Sequence, residues 1–397
     1  MDEIDLSKTV AVVLAGGQGS RMFELTRAEC KPALPFADRH RIVDFTMASL
    51  RRSGMRRVMV ATQYQPQTLS AHLRDHWAPL FGAAALTERE GQLRRPGTGY
   101  AGTADVLRAN AEALDALDAE EVLVVAADHV YAMDYRPFIA RHRASGAALT
   151  LAAMPVPLTE ASRFGVVDEG PSGQIAGFAE KPPHPAAMAD DPSRGLASLG
   201  IYVIDWRWLR ATLRNAALVD FGHDVIPLAV DQGVAAVWRW RGYWRDVGTL
   251  SGLRQSWLDF QQGADPCLRP DALNSAEGPG PALGVLPEDG APARLADPLP
   301  ANRVWRAARL DASVLMPGAR LSPGVRLRNV VVAPGAQVPL GLNIGHDPEE
   351  DSRWFRISGD TTLVTPAMLA RRRAEKTPLY SLYQPAREGG FNMSRPS

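Results

Sequence analysis

Four apolar runs constrain this chain more than any other feature: VAVVL at 10–14, VMVAT at 58–62, VLVVAA at 122–127 and LTLAAM at 149–154. Apolar runs this short, ended by glycine or polar residues, read as strands buried on both faces. Amphipathic stretches of helical length lie between them, at 44–53 and 103–117. Alternating strand and helix specify an α/β fold, a mostly parallel sheet with helices on both faces. Ligands in such sheets sit outside the carboxyl ends of the strands.

A mixed portion follows, with strand-like segments at 165–167, 174–178, 201–204 and 234–240 and a closing helix at 253–262. The first domain is therefore expected over 1–262. Residues 263–303 turn rich in Pro, Gly and Ala, the composition of a linker. Beyond them Leu310, Leu315, Leu321, Leu327, Val332, Val338 and Ile344 recur every five or six residues, with Gly318, Gly324, Gly335 and Gly341 in the turns. One aliphatic per hexad predicts a parallel β-helix over 304–377, about 18 residues per coil. Two coils are fewer than the roughly three repeats such stacks need, so the stub is expected to lean on the first domain or on another subunit. Residues 378–397 read as a loosely ordered tail.

Composition narrows the function classes. Forty-four basic and forty-four acidic residues give zero formal charge, with 46% hydrophobic and 22% charged residues. That balance points to a globular chain and away from disorder or nucleic-acid binding. No apolar run reaches the roughly 18 residues of a membrane span. Met1 to Lys8 lacks the basic flank and apolar stretch of a signal peptide. Two cysteines, Cys30 and Cys267, are too few for a disulfide scaffold or zinc cluster. A cytoplasmic enzyme is expected.

The chemistry concentrates after the first strand, in Leu14-Ala15-Gly16-Gly17-Gln18-Gly19-Ser20-Arg21. Three glycines let backbone N–H groups approach phosphates, although the spacing is neither a P-loop nor a Rossmann fingerprint. Such a turn can also be glycine-rich for geometry alone. Arg21, with Lys31 ten residues on, tips the reading toward a triphosphate. Only four of the forty-four basic residues are lysines, and two of them, Lys31 and Lys181, precede proline. A compact ammonium differs from a guanidinium where one phosphate oxygen must be met.

LAGGQGSRMFELTRAECKPALPF resembles the G-G-x-G-x-R…K-P-A signature of the sugar-1-phosphate nucleotidyltransferases. Later segments are similar to the glucose-1-phosphate adenylyltransferases within that group. They are Arg41-Ile42-Val43-Asp44-Phe45, Thr62-Gln63-Tyr64, Tyr100-Ala101-Gly102-Thr103-Ala104-Asp105 and Ala127-Asp128-His129-Val130-Tyr131. Phe178-Ala179-Glu180-Lys181-Pro182, Leu196-Ala197-Ser198-Leu199-Gly200-Ile201-Tyr202 and Trp244-Arg245-Asp246-Val247-Gly248-Thr249 complete the series.

The resemblance implies a Rossmann-like nucleotidyltransferase sheet, mixed but mostly parallel, followed by a short left-handed β-helix, in a homotetramer. It implies ATP and glucose 1-phosphate as substrates and Mg²⁺ as cofactor, with Asp128 and Asp246 as metal ligands. An isolated aspartate is more often a loop or cap residue; the matched pair favours metal. Arg21 and Lys31 join those aspartates as the catalytic set. Leu14, Ala15, Gly16, Gly17, Gln92, Tyr100, Gly102 and Thr103 are implied for the nucleotide. Gly165, Glu180, Lys181 and Ser198 are implied for glucose 1-phosphate. Two alternatives stay open: a non-catalytic regulatory subunit, and the same chemistry with another nucleotide or an amino-sugar 1-phosphate.

The chain also departs from the family pattern. Ala127 replaces a glycine, Gly99 an aromatic residue and Ala101 an arginine, and the segment around Gln92 is divergent. Many bacterial members carry basic residues just before the K-P-A lysine, where they serve activation by sugar phosphates. Ala28 and Glu29 stand there in this chain, so weak activation is expected.

Overall fold

The structure, a computed structural model, describes residues 4–37, 40–82, 85–263 and 308–376. The linker expected beyond Gly263 and the tail expected at 378–397 lie outside them. The chain divides into two compact units, 1–302 and 303–397.

The first unit is built on a nine-stranded mixed sheet. Thr9–Ala15 lies at its centre, parallel to Val58–Thr62 on one side and to Glu121–Ala126 on the other; Leu86–Glu90 extends the first side in parallel. Val10, Val12, Val122 and Val124 are all fully buried, which is why these runs carry no polar alternation. On the second side Arg194–Asp205 runs antiparallel to Glu121–Ala126. It also pairs antiparallel with Leu149–Pro157 and with Gly165–Glu169, the latter hairpinned to Ile175–Glu180. Ala235–Arg239 adds a parallel strand to Leu149–Pro157. The parallel half matches the alternating pattern; the antiparallel half is where strands follow one another without long helices.

The expected helix at 103–117 is two helices, Thr103–Ala109 and Ala111–Ala116. The break is at Asn110, whose Nδ2 donates to the Val106 carbonyl at 2.9 Å and to the Tyr100 hydroxyl at 3.1 Å. A side-chain amide that bonds its own helix's backbone competes with the helical ladder. The pair still buries one face, Leu107 and Leu114, against the sheet residues Val10, Val12, Val122 and Val124. Elsewhere Phe36, Phe45 and Phe260 meet edge to face at 5.1–5.9 Å. They tie the segment after Lys31 to the helices Val43–Arg52 and Leu250–Gln261. Each such pair adds about 0.5–1.5 kcal/mol beyond its buried area.

The second unit is a stack of short parallel strands. Leu310 pairs with Leu327 and Leu327 with Ile344, while Leu315 pairs with Val332 and Leu321 with Val338. The coil is 17 residues rather than 18, because spacings of 5, 6 and 6 make one side a residue short. The packing that two coils lack comes from the same unit. After the helix Pro348–Trp354, Thr361–Val364 adds in parallel to Val330–Val332. Phe355, Val364 and Met368 then complete a core with Leu321, Leu327, Val332 and Ile344.

Candidate active site

Register decides what meets at the sheet's carboxyl edge. Leu14 aligns with Ala61 and with Ala126, so Gly16, Gln63 and Asp128 leave the sheet side by side. They border a cavity of about 610 Å³, within the usual range of about 300–1,000 Å³ for small-molecule sites. Leu14, Gly16, Gly17, Arg21 and Lys31 line it. So do Tyr100, Gly102 and Thr103, and also Asp128, Glu180 and Lys181.

The glycine turn ends at Gly19, which takes φ +64° directly against the Lys31 side chain; a Cβ there would lie 3.0 Å from the Lys31 Cβ. Glycine therefore serves both the left-handed turn and the packing of the lysine stem. Lys31 is only 4% exposed. Its Nζ donates to Asp128 Oδ2 at 2.9 Å and lies 3.5 Å from Asp246 Oδ1. Asp246 reaches this point because Trp244–Asp246 pairs antiparallel with His129–Tyr131, the strand that directly follows Asp128, with Asp246 opposite His129. Its Oδ1 is held by the Gly248 amide at 2.7 Å, and Arg163 Nη2 approaches Oδ2 at 3.6 Å.

Charge is concentrated here. Burial alone would raise the Asp128 carboxyl, but the Lys31 ammonium, His129 and the Lys31 hydrogen bond outweigh it and hold it well below the usual carboxylate range. His129 is pushed down, chiefly by burial, although both aspartates oppose the shift. Two carboxylates from separate segments thus converge on one point, now met by an ammonium. Among the described residues no group of three His, Cys, Asp or Glu forms a protein cage. A pair of carboxylates open to phosphate oxygens and water is the donor set that fits Mg²⁺.

Five expected site residues are not among those that line the cavity: Asp246, which meets it through Lys31, and four others. Ala15 is buried in the sheet, paired with Thr62. Ser198 is buried, its hydroxyl accepting the Gly200 amide at 3.5 Å, and Tyr202 lines the cavity in its place. Gly165 backs the Glu180 carboxylate. Gln92 is exposed, and its Nε2 lies against Gly99.

Sequence reasoning gave no role to several lining residues. Gln63 accepts the Tyr100 N–H at Oε1 and donates to the Tyr100 carbonyl at 3.3 Å, which fixes the phenol's backbone. Asp220, Phe221, Gly222 and His223 form a further wall. Asp220 caps its own helix, accepting from the Gly222 and His223 amides at 2.8 and 3.1 Å. Its Oδ2 also accepts from the Thr103 hydroxyl at 2.9 Å. An aspartate before a helix was the available signal for this wall, but it signals a cap and not a pocket.

This geometry defines a nucleotidyl transferase, and the family model described as Nucleotidyl transferase matches residues 10–262. A second, described as GlmU-like, C-terminal hexapeptide, matches residues 299–365. The chain is 35% identical over 413 residues to a glucose-1-phosphate adenylyltransferase of Jannaschia sp. (strain CCS1), covering 92% of this chain and 97% of that one. It is 35% identical to glucose-1-phosphate adenylyltransferase 2 of Alkalilimnicola ehrlichii, over 91% of this chain and 94% of that one. A Vibrio parahaemolyticus glucose-1-phosphate adenylyltransferase 2 is 38% identical over 66% of this chain and 69% of its own length. The chain belongs to the glucose-1-phosphate adenylyltransferase family.

Proposed function

We propose that this protein is a glucose-1-phosphate adenylyltransferase, which joins ATP and α-D-glucose 1-phosphate to give ADP-glucose and pyrophosphate for glycogen or another α-glucan. One observation carries the reading. A buried lysine lies 2.9 and 3.5 Å from two aspartates, in the cavity that Glu180 and Lys181 also line. Phosphate-binding cations, metal-binding carboxylates and a sugar-phosphate pair thereby share one space.

The sugar phosphate oxygen attacks the α-phosphorus in line and pyrophosphate departs, one P–O bond forming as one breaks. Arg21 and Lys31 offset charge on the triphosphate and on the leaving group. Lys181 holds the phosphate of glucose 1-phosphate, and Glu180 accepts hydrogen bonds from sugar hydroxyls. Tyr100, Gly102 and Thr103 flank the nucleoside. Mg²⁺, held by Asp128 and Asp246 when bound, supplies further neutralisation at the phosphates. Positioning and electrostatics account for the catalysis, with no covalent intermediate.

A non-catalytic subunit would have lost metal or phosphate residues, whereas Arg21, Lys31, Asp128, Lys181 and Asp246 are all in place. We place the enzyme in the cytoplasm as a homotetramer; no described helix is long and apolar enough to cross a membrane. The test is the purified chain with Mg²⁺ and ATP, UTP, GTP or dTTP against glucose and glucosamine 1-phosphates, reading pyrophosphate release. Fastest turnover with ATP and glucose 1-phosphate is expected. Preference for another pair overturns the substrate assignment, and no turnover with any pair overturns the reaction.

A further inference from the structure

Glu180 owes its position to two glycines from distant segments. Its Oε1 pairs with the Lys181 ammonium. Its Oε2 lies where side chains at Gly222 and Gly165 would otherwise be: a Cβ on Gly222 would come within 2.6 Å of Oε2 and 2.8 Å of Cδ, and one on Gly165 within 2.9 Å of Oε2. All three distances are closer than nonbonded atoms approach. Neither glycine has a positive φ, so the backbone alone does not require glycine at either position. Space for the carboxylate does.

The two glycines are not equivalent. A methyl group on Gly165 would also meet the Phe178 ring, at 2.5 Å, and so disturb a residue packed against the core. At Gly222 the nearest obstruction is the Glu180 carboxylate itself, with Asp220 Oδ1 next at 3.3 Å. Glu180 is the free end of a flexible side chain, whereas Asp220 is fixed by three hydrogen bonds. An added methyl therefore displaces Glu180, and through the ion pair it disturbs Lys181.

We propose that Gly222 is a positioning residue for the sugar site: its missing side chain is the slot that aims the Glu180 carboxylate at sugar hydroxyls and sets the Glu180–Lys181 pair. The inference rests on the reading of this wall as the sugar 1-phosphate site. It extends that site to the helix start at 221–225, roughly forty residues from the Glu-Lys pair.

The test compares wild type, Gly222→Ala, Glu180→Asp and the double variant, with melting temperature measured for each. The sugar substrate is whichever sugar 1-phosphate the wild type turns over fastest. Gly222→Ala is expected to raise KM for that substrate about tenfold or more, the loss of one charged contact. KM for the nucleotide and the melting temperature should stay near wild type. Glu180→Asp withdraws the carboxylate by one methylene, so the double variant should have a lower sugar KM than Gly222→Ala alone. An unchanged sugar KM in Gly222→Ala, an equal rise for both substrates, or no rescue by aspartate overturns the proposal. Wild-type failure on glucose 1-phosphate alone overturns only that choice of substrate; failure on every sugar 1-phosphate overturns the slot as well.

Discussion

The Thr103 hydroxyl donates to Asp220 Oδ2 at 2.9 Å and accepts the Phe221 amide at the same distance. One side chain thus fastens the loop that carries Tyr100 and Gly102 to the wall that carries Gly222. The Ala104 amide adds a bond to the Val219 carbonyl at 2.9 Å. Thr103→Val keeps the shape but leaves the Phe221 amide without its partner and Asp220 with one donor fewer, at about 1–3 kcal/mol. KM is expected to rise for ATP and for glucose 1-phosphate together, because both walls lose their common tie. Initial-rate kinetics varying each substrate in turn decide this, and a defect confined to one substrate would count against the tie.

Asp128→Asn and Asp246→Asn each remove one negative charge from the point where the carboxylates converge, and Lys31 then keeps only one anionic partner. Turnover should fall by several orders of magnitude in each while circular dichroism stays native. Titrating Mg²⁺ against the residual rate gives a second readout, a higher Mg²⁺ requirement in each variant. Near-normal rates in both would refute the metal assignment.

Lys181 has a 58% exposed side chain, so replacing it costs little stability. Lys181→Ala should chiefly raise KM for glucose 1-phosphate and leave ATP affinity near wild type, as expected for a ground-state phosphate contact. A defect seen only with ATP would move this lysine to the nucleotide.

What was legible in the sequence was local. The runs at 10–14, 58–62 and 122–127 are strands because burial on both faces removes polar alternation, and that signal is carried within five or six residues. Arg21, Lys31, Asp128 and Asp246 were legible through their motifs, although nothing in their spacing says that Lys31 lies between the two aspartates. The wall 220–223 was not legible, since its role arises only when the fold brings it to Thr103 and Glu180. Asn110 was missed for a related reason: its break serves Tyr100, and a helical period does not register that hydrogen bond. The 17-residue coil was present in the spacings and was obscured by rounding to hexads.

Asp44 offers a stability test away from the cavity. The buried carboxylate is bonded to His72 Nε2 at 2.6 Å, and accepts from Trp77 Nε1 at 2.7 Å and the Arg41 amide at 2.8 Å. Burial alone would raise its carboxyl; the His72 hydrogen bond and charge, the Arg41 amide and His40 outweigh it and hold it below the usual range. A depressed folded value means stability that is present above the unfolded value of about 3.9 and lost as pH falls through the folded one. Asp44→Asn should cost about 1–3 kcal/mol at neutral pH. In urea unfolding at stepped pH, the gap between wild type and variant should narrow as the pH falls below about 4.

Regulation follows from the residues just before Lys31. Ala28 offers no charge, and the Glu29 carboxylate lies 3.8 Å from Arg41 Nη1, which also donates to the Ala33 carbonyl. A bisphosphate docking here would meet a like charge and an arginine already engaged. One missing charge-assisted contact is worth about 1.5–3 kcal/mol, or roughly ten- to a hundredfold in affinity. Activation by fructose 1,6-bisphosphate should therefore be weak or absent, while other arginines leave room for a different effector. Glu29→Gln, which removes the repulsion and releases Arg41, should lower the concentration needed for half activation. Activation curves at subsaturating substrate, with several sugar phosphates and keto-acids, measure both. Strong activation of the wild type by fructose 1,6-bisphosphate, undiminished in Arg27→Ala and in Arg41→Ala, would show that this segment does not govern the response.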